Sequence, residues 1–258
     1  MTDVFAISAF SDNYIWALTR AGDDRAVVVD PGDAAPVRRA LDERGLTLAG
    51  ILITHHHPDH TGGVRELVAA AGADIPVWGP ADERIPGRTV ALADGDAVTL
   101  PGFGITFEVI ACPGHTAGHI AYYGDGMLFC GDTLFAGGCG RLFEGTPEQM
   151  HASLARFTAL PGETRVYCAH EYTQANLTFA AEVEPDNTGL LQRLTAVREA
   201  RAHDRITLPS TIAEELATNP FLRTDAPTVR KRAATRAGHA LADGVAVFAA
   251  VRAWKDAF

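Results

Sequence analysis

Short apolar, β-branched runs alternate with stretches of helical spacing through the first two-thirds of the chain. Ala26-Val27-Val28-Val29-Asp30 is such a run, ended by Pro31-Gly32, and a run of this length closed by turn residues reads as a strand. Pro36 to Arg44 then has helical spacing, closed by Gly45. Leu48 to Ile53 reads as a buried strand, and Gly62-Gly63 opens a helical stretch through Ala71 that Gly72 ends. Ile105 to Ile110 alternates as a strand. Ile120 to Tyr123 and Met127 to Cys130 flank Gly124-Asp125-Gly126 as a hairpin. Pro147 to Leu160 has the pattern of a helix, and Val166 to Ala169 that of a last strand.

From Thr173 onward the strand patterns give way to helices: Thr173 to Glu182, Gly189 to His203, Thr211 to Thr218 with Glu214 placed for a capping box, and Asp243 to the C-terminus. The change predicts a mixed α/β domain over residues 1–172 and a small helical domain over 173–258. The Gly-rich stretch Phe135 to Gly140 reads as a loop and lacks the Lys-Ser/Thr of a phosphate loop.

A chain of 258 residues, 47% of them hydrophobic, can bury one large core or a main domain with an appendage. The formal net charge of -10 argues against a nucleic-acid partner, because neutralising phosphates needs an excess of Lys and Arg. No apolar run reaches the roughly 18 residues of a membrane span, and Met1-Thr2-Asp3-Val4-Phe5-Ala6 lacks the basic and apolar regions of a secretory signal. A cytoplasmic protein with no membrane partner is the expectation. Cys112, Cys130, Cys139 and Cys168 are widely spaced with no CxxC pair, the usage of reduced, packed thiols.

The chemistry concentrates in Thr54-His55-His56-His57-Pro58-Asp59-His60, directly after the Leu48–Ile53 strand. Imidazole and carboxylate suit zinc and its first-row neighbours, and a rigid strand feeding a loop delivers several of them to one point. In extended backbone, side chains two apart point the same way, so His55 and His57 converge while His56 faces elsewhere. Asp59 and His60, after the turn forced by Pro58, aim at a second point close by. Further ligand types follow other strand-like segments: His115 in Pro113-Gly114-His115-Thr116, Asp132 in Gly131-Asp132-Thr133, and His170 in Cys168-Ala169-His170-Glu171. His119, His151, His203 and His239 lack that context and read as structural or solvated, His119 with the alternative of supporting a ligand.

The order Thr-His-x-His-x-Asp-His, then Gly-His, Gly-Asp and a late His resembles the metallo-β-lactamase superfamily. Thr54 to Gly63, Pro113 to His119, Cys130 to Gly145 and Ala169 to Tyr172, with the tail segment Asn219-Pro220-Phe221-Leu222-Arg223, resemble the glyoxalase II (hydroxyacylglutathione hydrolase) family across essentially the whole chain. That resemblance implies a four-layer αββα sandwich with a small all-helical C-terminal domain and two divalent metal ions per chain. Zinc is the expected metal, with iron or manganese acceptable to the same ligands. It further implies that His55, His57 and His115 bind one metal, Asp59, His60 and His170 the other, and that Asp132 bridges both; Asp59 and Asp132 then carry catalytic roles. For the substrate it points to Arg141, where some members have Lys, Phe143, where some have Tyr, Tyr172, and the pair Arg252 and Lys255 of a C-terminal Arg-x-x-Lys.

Arg252 and Lys255 are three residues apart and share a face of the last helix, a fit for a glycine carboxylate; the residues alone favour cations that complement the macrodipole near a helix C-terminus, and the family resemblance turns the choice to the substrate role. The implied reaction is S-D-lactoylglutathione plus water giving D-lactate and glutathione, the second step of methylglyoxal degradation, by a hydroxide held between the two metals. The implied partner is a small glutathione thioester, and the expected state is a monomer. Two rival readings are a one-iron persulfide dioxygenase of the same superfamily and a noncatalytic metal- or glutathione-binding module.

Overall fold

The structure is a computed structural model that describes residues 2–72 and 74–258; Met1 and Ala73 lie outside the described residues. By contacts the chain forms two compact units, Met1–Ala111 with Thr116–Gly131, and Cys112–His115 with Asp132–Phe258.

The first unit runs β1 (Thr2–Ala9), β2 (Asn13–Arg20), β3 (Arg25–Val29), α1 (Ala34–Arg44), β4 (Thr47–Leu52), α2 (Pro58–Thr61), α3 (Val64–Ala71), β5 (Val77–Pro80), β6 (Val90–Leu92), β7 (Ala97–Thr99), β8 (Thr106–Ala111), β9 (Ile120–Gly124) and β10 (Met127–Gly131). One sheet has the order β1-β2-β3-β4-β5-β6, antiparallel through β3 and parallel from β3 to β6. The second is an antiparallel meander, β7-β8-β9-β10. Helices α1 and α3 lay Val37, Leu41, Val64 and Leu67 against Ile7, Val28, Ile51 and Val77 of the first sheet. Val27 and Val29, on the other face of β3 by strand alternation, are buried as well. Burial on both faces explains why these strands read as continuous apolar runs, each fully buried Val or Ile contributing roughly 1.5–3 kcal/mol. The two sheets meet where β9 approaches the end of β4: the Tyr122 hydroxyl donates to the Ile53 carbonyl at 2.7 Å, and the Ile120 amide to that of Thr54 at 3.0 Å. Burial pushes the Tyr122 phenol well above its ordinary pKa, so it serves as a neutral donor.

The second unit continues with β11 (Leu134–Phe135), β12 (Gly138–Cys139), α4 (Pro147–Thr158), β13 (Arg165–Cys168), α5 (Thr173–Val183), α6 (Thr188–Arg201), β14 (Ser210–Thr211), α7 (Ile212–Thr218), α8 (Pro227–Ala237) and α9 (Gly244–Asp256). Thr146 and Gln149 close a capping box at the start of α4, and Asn187, Thr211 and Asp243 cap α6, α7 and α9. Helices α5 and α6 pair through Leu177, Ala180, Leu190 and Leu194. An aromatic cluster locates α9: Phe179 meets Trp254 edge-on at 5.6 Å, and Phe221 meets Phe248 at 5.7 Å.

Several elements depart from the sequence expectations. Val166–Ala169 is not the last strand, because Ser210 and Thr211 pair with Val166 and Arg165 after α6. Thr211 is therefore a strand end and helix cap, and α7 starts at Ile212. Pro58 opens a single helical turn rather than a plain turn, with Pro at a position where its missing N–H is harmless. The β1–β2 hairpin and strands β5, β6 and β7 carried no clear alternation. Helix α8, with Arg230, Lys231, Arg232 and Arg236 around buried Val229 and Ala233, has an apolar stripe too narrow to register. Among the described residues no helix is long and apolar enough to cross a membrane.

Candidate functional site

In the first unit the histidine loop leaves β4 through the buried Ile53 and Thr54. Asp30, at the end of β3, accepts from the Thr54 amide at 2.8 Å through Oδ1 and from the Thr54 hydroxyl at 2.7 Å through Oδ2. The Thr54 hydroxyl also lies 3.0 Å from His55 Nδ1. Asp30 Oδ2 further meets His60 Nδ1 at 3.1 Å, which fixes that ring and turns its Nε2 toward Asp59, 3.5 Å from Oδ2. Asn13 Nδ2 donates to the same Asp59 oxygen at 3.1 Å. The backbone of Asp30 is in the left-handed region at φ 53°, a conformation non-glycine residues hold where surrounding contacts demand it.

His55 Nε2 and His57 Nδ1 stand 3.1 Å apart, while His56 turns away to Glu83, 3.1 Å from its Oε2. This is the i, i+2 geometry read from the sequence. His119 stacks on His55 with ring centroids 4.6 Å apart, placing it as a support for that ring. Gly32 lets the loop after β3 touch the histidine loop: a Cβ there would lie 1.8 Å from the Asp59 carbonyl oxygen.

In the second unit three more of the expected ligands converge. His115 Nε2 and His170 Nε2 each lie 3.4 Å from Asp132 Oδ2. His115 Nδ1 meets the Arg141 carbonyl at 2.9 Å; a carbonyl only accepts, so Nδ1 carries the proton and Nε2 keeps its lone pair toward Asp132. Tyr172 stacks on His170 at 4.7 Å and 4°, and the Phe143 ring stands edge-on to His115 at 5.2 Å.

These separations test the donors against a metal. Ligand atoms bound tetrahedrally at about 2.0–2.1 Å stand about 3.3 Å from one another. The pairs at 3.1, 3.4, 3.4 and 3.5 Å are edges of such polyhedra, and the donors are imidazole nitrogens and carboxylate oxygens. Asp30, His55 and His60 likewise offer ligand atoms within 4.8 Å of one another. The residues fit divalent metal ions.

A cleft of about 870 Å³ in the second unit contains His115 and Asp132 at its lining and extends along Arg141, Phe143, Tyr172, Arg252 and Lys255. All five expected substrate residues thus line one cavity. Their electrostatics differ. Arg252 is buried and donates to the Cys139 carbonyl and to Asp256 Oδ1, both at 2.9 Å, with its guanidinium over the Phe221 ring. It acts as an internal brace. Lys255 is half-buried with its ammonium 5.3 Å from the Phe179 centroid, and burial, reinforced by Arg252, lowers its pKa to about 8. Arg141 and Phe143 are exposed. All four thiols are buried; burial raises Cys139 and pushes Cys168 up to about 12, so they are packed groups rather than nucleophiles.

Asp30 and Asn13 escaped the sequence reading. The visible signal for Asp30 was an acid closing a β-branched strand ahead of Pro-Gly; for Asn13 there was none.

Comparison with known proteins places this geometry. Residues 11–170 match the Metallo-beta-lactamase superfamily, and residues 171–258 match the hydroxyacylglutathione hydrolase C-terminus. These define the class as a metallo-β-lactamase fold carrying a distinctive helical tail. Among solved structures, ETHE1 from Myxococcus xanthus superposes with a TM-score of 0.66 at 25% identity, covering 100% of this chain and 99% of that one. The di-iron-bound form of TTHA1623 gives 0.59 at 28%, covering 85% of this chain and 100% of that one. The hydroxyacylglutathione hydrolase of Alkalilimnicola ehrlichii is 59% identical over 99% of both chains, and that of Pseudomonas fluorescens 55% identical over 100% of both. The chain belongs to the hydroxyacylglutathione hydrolase family.

Proposed function

We propose that the protein hydrolyses the thioester of a 2-hydroxyacylglutathione, converting S-D-lactoylglutathione and water to D-lactate and glutathione. The observation that carries this is the cleft that joins a metal-ligand cluster, His115 with Asp132, to a half-buried cation, Lys255. That layout suits a substrate with a reactive acyl end and a carboxylate-bearing peptide end.

The donor set would hold two divalent metals through His55, His57, Asp59, His60, His115, Asp132 and His170. Bound metals supply hydroxide from water near neutral pH and polarise a carbonyl. The chain's own residues do the rest. Asp59 and Asp132 orient the attacking water through their carboxylates. Lys255 meets the glycine carboxylate, with Arg141 at the exposed rim, while Arg252 holds the cleft wall. Tyr172 keeps the His170 ring in place and offers its phenol to the peptide; Phe143, lacking a phenol, covers the His115 ring. A thiolate with a reference pKa near 8.5 leaves without a strong general acid, which suits a cleft in which no Ser-His or Cys-His nucleophile pair is needed.

The reading assigns metal chemistry chiefly to residues 1–172 and peptide recognition chiefly to residues 173–258, in line with family matches that meet at residues 170 and 171. Zinc is the metal we favour, and the di-iron form of TTHA1623 keeps iron in the test. Four buried reduced thiols and a net charge of -10 suit a cytoplasmic protein with no nucleic-acid partner, and we read it as a monomer. The experiment is metal content per chain with S-D-lactoylglutathione hydrolysis in one preparation. Two metals and rapid thioester loss support the reading. A single iron with oxygen uptake on glutathione persulfide would replace it with the dioxygenase chemistry, and two metals with no turnover would leave only a binding module.

A further inference from the structure

The loop from Asp132 to Arg141 carries an expected metal ligand at one end and, at the other, the carbonyl that orients His115. Its middle, Phe135 to Cys139, is held residue by residue through side chains of the helical segments. Asn219 Nδ2, with two hydrogens facing three acceptors, donates to the Gly138 carbonyl at 2.9 Å and shares a longer, bifurcated bond with the Phe135 carbonyl at 3.3 Å. Asn176 Nδ2 donates to that of Ala136 at 3.1 Å, and Glu215 Oε2 accepts from the Gly137 amide at 2.8 Å. Arg252, described above, holds Cys139. Five consecutive backbone positions of this β11–β12 hairpin are thus bonded by side chains, where the groups a short surface hairpin does not pair within itself ordinarily bond to water.

Glu215 is the hub. It is fully buried, and its Oε2 also accepts from Asn219 Nδ2 at 3.0 Å while Oε1 pairs with Arg193 at 2.7 Å. Arg193 is in turn held by the Thr218 hydroxyl at 2.6 Å. Both carboxylate oxygens therefore act as acceptors, Oε1 toward Arg193 and Oε2 toward Gly137 and Asn219. The loop is built for the clamp as well: Gly137 has φ 69°, and a Cβ there would stand 2.6 Å from Leu177, while one on Gly138 would stand 2.7 Å from Asn176.

We propose that Glu215, together with Asn219, is a positioning residue of the substrate cleft. The pair moulds the Phe135–Cys139 loop so that Phe135 and Cys139 form the cleft wall and Arg141 presents its carbonyl to His115. The inference rests on the glutathione-thioester reading. It also gives the Asn219-Pro220-Phe221 segment a role, since Asn219 Oδ1 accepts from the Phe221 amide while its Nδ2 serves the loop.

The test compares full-length Glu215→Gln, Asn219→Ala and Thr218→Ala with the parent. Thr218→Ala weakens Arg193 but removes no bond to the loop, so it reports buried destabilisation alone. The measurements are Kd for S-methylglutathione by calorimetry, kcat/KM for S-D-lactoylglutathione, metal content and Tm. In Glu215→Gln and Asn219→Ala the expected result is a Kd raised about tenfold, about 1.4 kcal/mol, with two metals retained and a matching loss in kcat/KM. Thr218→Ala lowers Tm and leaves Kd unchanged. Should Glu215→Gln fail to fold, Asn219→Ala decides alone. Lowered Tm with unchanged Kd in the loop-clamp variants overturns the proposal. A parent protein that binds S-methylglutathione without turning over the thioester sinks the hydrolase reading and leaves the clamp standing.

Discussion

Replacing Lys255 with Met separates substrate binding from stability, because the proposed function gives the ammonium a favourable part in binding while its burial disfavours the charge in the free protein. Its pKa falls from the ordinary 10.5 to about 8, chiefly through burial. The folded state therefore disfavours the charge, and between pH 8 and 10.5 the unfolded chain binds more protons. Stability contributed by this group rises with pH through that window, and the charged form is a net penalty below pH 8. The full drop corresponds, at about 1.36 kcal/mol per pH unit, to about 3 kcal/mol. Solvent screening of a half-buried group reduces this to about 2 kcal/mol. Lys255→Met removes the penalty and keeps the aliphatic packing on Phe179, so the free variant is expected to be about 1–2 kcal/mol more stable at pH 7 in urea titrations.

Binding moves the other way. A carboxylate against the ammonium offsets its desolvation, so the variant loses a charge-assisted bond of about 1.5–3 kcal/mol, roughly a 10- to 150-fold rise in Kd for S-methylglutathione and in KM for the thioester, with kcat nearly unchanged. In the parent, affinity is expected to be flat to about pH 8 and to weaken above it, as the free ammonium loses its proton; the variant shows no such step. Calorimetry from pH 6.5 to 9.5 on both proteins reads this directly. An identical pH profile in the variant would exclude Lys255 from substrate binding, and a variant that is less stable at pH 7 would show that the buried ammonium is not a net penalty.

Four further outcomes are expected. Asp132→Ala removes the carboxylate oxygen 3.4 Å from both His115 and His170, and should reduce bound metal by at least one per chain and abolish thioester hydrolysis; intact metal and activity would end the dinuclear reading. Asp30→Asn unties His60 and Thr54, and a supporting carboxylate of this kind is worth about 10- to 100-fold in metal affinity, measurable by competition with a chelator. Gly32→Ala pushes a Cβ into the Asp59 carbonyl, a backbone contact with nowhere to relax, costing about 1–3 kcal/mol and lowering metal content along with Tm. Phe143→Tyr, at an exposed position beside His115, should lower KM about 2- to 10-fold, the size of one net hydrogen bond of about 0.5–1.5 kcal/mol; an unchanged KM would show that the phenol does not reach the peptide.

How far the fold was legible depended on how local its signals are. Strand β3 declared itself because Val27, Val28 and Val29 are buried on both faces and Pro31-Gly32 stops the run. Helix α1 was closed by Gly45, which the structure finds in the left-handed C-cap conformation. Ser210–Thr211 could not be read as a strand, since two residues have no periodicity and their pairing with Arg165–Val166 is made across the whole of α5 and α6. Helix α8 hid for a related reason: two buried positions in a run of Arg, Lys and Ala set too small an apolar face.

At the site the division follows the same physics. The ligand types and the local geometry of Thr54 to His60 were legible in the residue order, because backbone alternation over three residues sends His55 and His57 the same way. That order also determined the family, through motifs spread over the full chain. Folding was needed to bring His115 and His170 each within 3.4 Å of Asp132, to set Asp30 against His60, and to place Arg252 on the Cys139 carbonyl and Lys255, with a lowered pKa, in the cleft. Those outcomes depend on which groups burial brings together and which it strips of water. Chain order carries no information on either until the loops have closed.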